Sequence, residues 1–192
     1  LTYFNNALAQ DKNYASALSG KAVALNGLGD YTSALDAANQ SLAIRSQDQN
    51  GLNAKALALF KLQRYDEAVV AYNNLFVVQV NNIDAYCKQG YAYQMINQSE
   101  SAVVSYKRCT LLDPLNLESW NNLGLTYMAL GNYDSALSAF DTATGITVNN
   151  ATTWNNKGTA LVALGRTTDA LQCFNKAIMI DPNFTDALNN RD

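Results

Sequence analysis

Residues 120–140, WNNLGLTYMALGNYDSALSAF, return with the same spacing as residues 154–174, WNNKGTALVALGRTTDALQCF. The offset that carries Trp120 onto Trp154 extends in both directions. With the frame opened at Ala15, blocks run 15–48, 49–82, 83–116, 117–150 and 151–184 without an insertion. A period of this length predicts a stacked array, in which no unit can bury its apolar face alone. Within 117–150, Trp120, Leu123, Gly124 and Tyr127 share one helical stripe, and Ala136, Phe140 and Ala143 share another. Between them Gly131-Asn132-Tyr133-Asp134 reads as a helix stop followed by a helix start, as do Gly29-Asp30 and Gly165-Arg166. The oxygens of Thr32, Asp66, Asp134 and Thr168 are expected to cap the second helix. Blocks close on turns at Asp113-Pro114, Val148-Asn149-Asn150 and Asp181-Pro182-Asn183, where proline has no donor with which to continue a helix. Each unit is therefore predicted to be an antiparallel helical hairpin.

Columns of small residues say how the hairpins close. Gly90, Gly124 and Gly158 occupy one column, filled by Ala22 and Ala56 in the first two blocks. Ala34, Ala68, Ala102, Ala136 and Ala170 form a second column through all five blocks. Facing small side chains let two helix axes approach while larger neighbours fill the flanks. The order Trp, Gly, Tyr, Gly-x-Tyr, Ala, Phe, Ala, Pro resembles the tetratricopeptide repeat, over residues 1–192. The resemblance implies an all-α, right-handed superhelical solenoid of stacked antiparallel hairpins, with a concave groove lined by each first helix. Two positions depart from the pattern: Leu75 replaces a small residue, and Asn97-Gln98-Ser99 replaces the Gly-x-Tyr corner. Lys21, Lys55 and Lys157, which precede the small column, are similar to prokaryotic and especially archaeal repeats, so a cytoplasmic location is expected.

Residues 1–14 align with 171–184 and read as the second helix of a truncated repeat; 185–192 read as the start of a further first helix. Neither end carries the polar face of a terminal unit, so the chain is expected to be a segment of a longer protein.

Charged residues make up 15% of the chain and the formal net charge is −3, with no basic stripe of the kind nucleic acid needs. No apolar run reaches the ~20 residues that span a bilayer. Cys87, Cys109 and Cys173 lack metal-site or disulfide-framework spacing, so reduced thiols are expected, Cys109 in the core. Asparagine is unusually abundant and forms sequons at Asn39, Asn97, Asn150 and Asn183. With so many asparagines, chance alone supplies nearly as many sequons, so they do not argue for glycosylation. The chain contains no histidine, which removes the commonest general base and metal ligand together. Phosphate-binding glycine loops are absent as well. No catalytic residue, metal or cofactor is expected.

Residues one step round each first helix from its packed stripe are expected to line the groove. These are Ser19, Asn53, Cys87, Asn121 and Asn155; then Val23, Leu57, Tyr91, Leu125 and Thr159; then Asn26, Phe60, Gln94, Met128 and Val162. An asparagine amide donates to and accepts from a peptide unit at once, so a ladder of them suits an extended backbone. The paired amides Asn121-Asn122 and Asn155-Asn156 mark it, and such ladders are similar to those of protein O-linked glycosyltransferase superhelices. The carboxylate-clamp members of the family use groove-side Lys and Arg; here those columns carry Ser19, Asn53 or Cys87, then Val23, Leu57 or Tyr91, so chaperone tails are not the expected ligand.

The expected function is a protein–protein interaction scaffold that holds a peptide segment in its groove. Asn53, Asn121, Asn122, Asn155 and Asn156 would hold the backbone; Leu57, Phe60, Tyr91, Gln94, Leu125 and Met128 would contact side chains. The partner is a protein or peptide, with no nucleic acid and no membrane. One alternative is an assembly element that self-associates end to end, or through a convex apolar strip of Val70, Val77, Val104, Leu111 and Met179. Another is the substrate-recognition arm of a larger enzyme.

Overall fold

The structure is a computed structural model that describes residues 1–191. Among these the chain forms twelve α-helices and no strand: α1 (Thr2–Gln10), α2 (Ala15–Gly27), α3 (Tyr31–Ile44), α4 (Gln49–Lys61), α5 (Tyr65–Val78), α6 (Ile83–Met95), α7 (Ser99–Leu112), α8 (Leu117–Ala129), α9 (Tyr133–Ile146), α10 (Ala151–Ala163), α11 (Thr167–Ile180) and α12 (Thr185–Arg191). They form two compact units, residues 1–97 and, among the described residues, 98–191.

In each unit a helix packs on the next in sequence, and the first helices of successive hairpins also touch: α2 on α4 and α4 on α6 in one unit, α8 on α10 and α10 on α12 in the other. No such contact joins α3 to α5 or α9 to α11. Every unit is therefore closed along its first helices and open along its second helices. The small columns make this possible. Ala34, Ala68, Ala102, Ala136 and Ala170 are all fully buried. A Cβ on Gly124 would lie 2.5 Å from the Phe140 ring, and one on Gly158 would lie 2.4 Å from Phe174. Leu75, the departure from a small column, is also fully buried and belongs to the unit 1 core with Leu59 and Tyr72.

The hairpin corner is a backbone device rather than a glycine motif. Gly29, Gln63, Asn97, Gly131 and Gly165 occupy the same position in successive repeats, and all hold positive φ between 58° and 82°. In four of these corners the following N–H returns to a carbonyl five residues back, Asp30 to Leu25, Arg64 to Leu59, Asn132 to Tyr127 and Arg166 to Leu161, at 2.9–3.0 Å. That bond satisfies a carbonyl the helix end would otherwise orphan. Gln63 holds the left-handed conformation against its own Cβ, at a cost of about 1 kcal/mol. Gln63→Gly is expected to raise the stability of unit 1 by up to that amount; urea denaturation showing no gain would remove the explanation.

The caps lie two residues before the positions read from sequence. Asp30 and Asn132 accept from Ser33 N–H and Ser135 N–H, so Thr32, Asp66, Asp134 and Thr168 already stand in the first turn, where a carboxylate interacts with the helix dipole. At the same position Arg64 and Arg166 cap nothing; they bind Glu67 and Asp169 with two hydrogen bonds each. First helices are capped by Asn82, Asn116 and Asn150. Part of the asparagine excess is thus local helix chemistry. The indole N–H groups of Trp120 and Trp154 donate to the carbonyls of Pro114 and Val148, and so pin the turns between hairpins.

Candidate functional site

Because the first helices touch in succession, their outward residues form the continuous face of each unit. Of the eleven residues expected there, Asn53, Leu57, Phe60, Tyr91 and Gln94 lie in unit 1, and the other six in unit 2.

In unit 1 the structure brings Phe60 of α4 and Tyr91 of α6 together, ring centroids 5.7 Å apart and edge to face. Tyr65, the first residue of α5, completes the group: it lies 5.9 Å from Phe60 and 6.1 Å from Tyr91, edge to face with both. Three rings in this arrangement present edges and faces of opposite partial charge to the same space. Phe60 and Tyr65 are half-buried, whereas Tyr91 is 39% exposed. Burial, with the neighbouring Tyr91, raises the Tyr65 phenol above its ordinary value, so it remains a neutral donor. Sequence reading placed Phe60 and Tyr91 on the face and missed Tyr65. Its signal was its repeat position, that of the corner residue Tyr133 in 117–150, where the corner was read only as a helix stop and start. Leu57 and Asn53 are half-buried on the same helix as Phe60, and Gln94 is half-buried one turn beyond Tyr91.

In unit 2 the paired amides separate by role. Asn121 donates to the Leu117 carbonyl at 3.2 Å and to the Thr153 hydroxyl on α10 at 2.9 Å, while its own carbonyl oxygen is buried without a partner. Asn155 is buried and accepts at 2.9 Å from the Asn190 amide of α12. These two amides tie one first helix to the next. Asn122 and Asn156 are half-buried and make no side-chain hydrogen bond among the described residues. Leu125 is 43% exposed; Met128 is half-buried against the core around Phe140. The same inward use of a groove amide occurs in unit 1, where Asn26 donates to the Ala54 carbonyl at 2.9 Å.

Among the described residues no group of three Cys, Asp or Glu side chains could hold a metal ion, and no helix is long and apolar enough to cross a membrane. Cys173 is a free, buried thiol. Cys87 and Cys109 are disulfide-bonded, which corrects the expectation of reduced thiols, because spacing along a repeat carries no information about pairing. The apolar residues expected on the second helices are exposed in their own units: Val70 and Val77 in unit 1, Val104, Leu111 and Met179 in unit 2.

Four family profiles, each described as tetratricopeptide repeat, match residues 1–51, 83–114, 117–146 and 151–184. No curated protein sequence matches the chain. Among solved structures, YrrB, described as a TPR protein with an unusual peptide-binding site, is similar with a TM-score of 0.90 and 22% identity, over 97% of this chain and 96% of that one. MamA is similar with a TM-score of 0.82 and 19% identity, over 89% and 93%. A MamA fragment from Desulfovibrio magneticus RS-1 is similar at 0.79 and 18%, over 88% and 96%. At these identities the likeness establishes the fold.

Proposed function

This chain belongs to the tetratricopeptide repeat family, and from that premise we propose that it is a non-catalytic binding module that holds a peptide segment along its first-helix face. The observation that carries this reading is the edge-to-face group of Phe60, Tyr65 and Tyr91, exposed at one ring and flanked by Leu57. An apolar or aromatic ligand side chain seats against such a group, and neighbouring amides read the backbone. Asn53 is the amide available for this beside the ring group of unit 1; on the first-helix face of unit 2 the available amides are Asn122 and Asn156, since Asn121 and Asn155 hold neighbouring helices. Leu125 offers apolar contact in unit 2, while Met128 and Gln94 are half-buried in their own units. The fold neighbour YrrB, described as having an unusual peptide-binding site, supports this reading of the fold.

The test is selection of peptides from a random peptide library against the chain, followed by calorimetric titration. Tyr91→Ala is expected to weaken a selected peptide about tenfold or more, as for an aromatic hot spot, with helicity unchanged. Equal affinity for the wild-type chain and Tyr91→Ala would sink the proposal. The exposed Val70, Val77, Val104 and Leu111 favour a second reading, self-association through second helices, which light scattering tests: one mass across a wide concentration range would exclude it.

A further inference from the structure

The openness of unit 2 along its second helices leaves a cleft between α9 and α11, floored by α10. It encloses about 450 Å³, within the range of about 300–1,000 Å³ that ligand sites occupy. Asp141 enters from α9, Trp154 and Lys157 from the floor, and Arg166, Cys173 and Lys176 from the α11 side. Lys157 pairs with Asp141 at 2.8 Å and lies 5.1 Å from the centre of the Trp154 ring. Arg166 is occupied by Asp169. Lys176 forms no ion pair among the described residues. Burial raises the Cys173 thiol despite Lys157 nearby, so it adds no charge at neutral pH. Three cations against two carboxylates leave the cleft at +1 in a chain of net charge −3.

Clefts at the same helical positions occur twice in unit 1, of about 360 and 350 Å³. They keep the floor lysine, as Lys21 and Lys55, and also sum to +1, with Lys12 and Asp36 in the first; they differ in having Leu18 and Leu52 where unit 2 has Trp154, and Gln40 and Asn74 where it has Lys176. Hairpin stacking therefore needs neither the indole nor the second lysine. A large π-face beside an unpaired ammonium suits a ligand with a carboxylate next to an apolar or aromatic group.

We propose that this cleft is a second binding site, on the second-helix side of unit 2, for an acidic peptide segment in which Asp or Glu alternates with an aromatic residue. The carboxylate is held by Lys176, and the aromatic side chain packs against the exposed edge of the Trp154 indole, whose face Lys157 covers while paired with Asp141. This site does not depend on the first-helix face.

The probe is acetyl-Glu-Phe-Glu-Phe-Glu-amide, followed through the two tryptophan indole N–H signals of the ¹⁵N-labelled chain, assigned with Trp120→Phe. The Trp154 signal is expected to shift saturably while the Trp120 signal stays. Lys176→Gln is expected to weaken binding about fivefold, as loss of one accessible ion pair does. Tyr91→Ala, a change in the first-helix face of unit 1, is expected to leave binding to this cleft unchanged, so failure here and failure of the first-helix reading are distinguishable. Absence of a saturable Trp154 shift overturns the site. An equal response to the all-Gln peptide overturns the charge recognition. N-acetylglutamate acting at the same concentration overturns the peptide assignment in favour of a small carboxylate.

Discussion

Phe140→Ala is expected to destabilise unit 2 by about 3–5 kcal/mol, the cost of emptying a large buried ring site. Phe140 is fully buried, and its ring fills the space that Gly124 leaves open on the facing helix. The same contact fixes the expected sign of the reciprocal change. Gly124→Ala gains about 1 kcal/mol of helix propensity, yet its Cβ would meet the ring at 2.5 Å, where overpacking costs about 1–3 kcal/mol. A net loss is expected, and the double variant Gly124→Ala/Phe140→Leu should recover part of it. Chemical denaturation of the four proteins forms the cycle. Strict additivity would mean that the glycine column is not a response to the ring.

Asp48→Ala is expected to cost unit 1 about 2 kcal/mol at pH 7, in the range of hydrogen bonds to a charged group. Asp48 occupies the repeat position of Asn82, yet it does not cap its helix as Asn82 does. It turns inward, 7% exposed, and accepts from the Arg45 guanidinium at 2.7 Å and the Ser41 hydroxyl at 3.0 Å. Burial alone would raise this carboxyl; hydrogen bonds from Ser19, Ser41 and Arg45 together, with the Arg45 charge, outweigh it and hold the group below its ordinary value of 3.8. Arg45 is half-exposed, so solvent screens its share. A depressed folded-state pKa gives stability that is present above the unfolded value and lost as pH falls through the folded one. The difference between wild type and Asp48→Ala should therefore narrow below about pH 4. A gap that is constant from pH 7 to pH 2.5 would assign the loss to packing alone.

The hairpins, the small columns and the corners were legible because each is a local or strictly periodic property. A repeat without insertions forces equivalent residues into equivalent surroundings, so Ala34, Ala68, Ala102, Ala136 and Ala170 could be read as buried from one another. Backbone chemistry proved more uniform than the letters: Gln63 and Asn97 hold the corner conformation of Gly29, Gly131 and Gly165. The caps were misplaced by two positions because the Gly-x-Tyr corner hands over directly to the next helix. The oxygen that accepts is the one immediately after the left-handed residue, at Asp30 and Asn132.

The binding face was legible only as columns. Phe60 and Tyr91 were identified individually, whereas their joining by Tyr65 depends on how α4, α5 and α6 cross. The amide ladder shows the limit most directly. Asn121 and Asn122 are adjacent and chemically identical, and only the approach of α10 commits the first to Thr153 and leaves the second uncommitted. Taken by itself, the sequence determined an all-α array, its hairpin unit, and the positions that must be small or left-handed, because those follow from period, volume and backbone sterics. Tertiary structure decided which amides are spent on neighbours, which rings gather into one patch, and that a charged cleft opens between α9 and α11. Those outcomes depend on contacts between side chains distant along the chain, set by the packing of helices rather than by the pattern along any one of them.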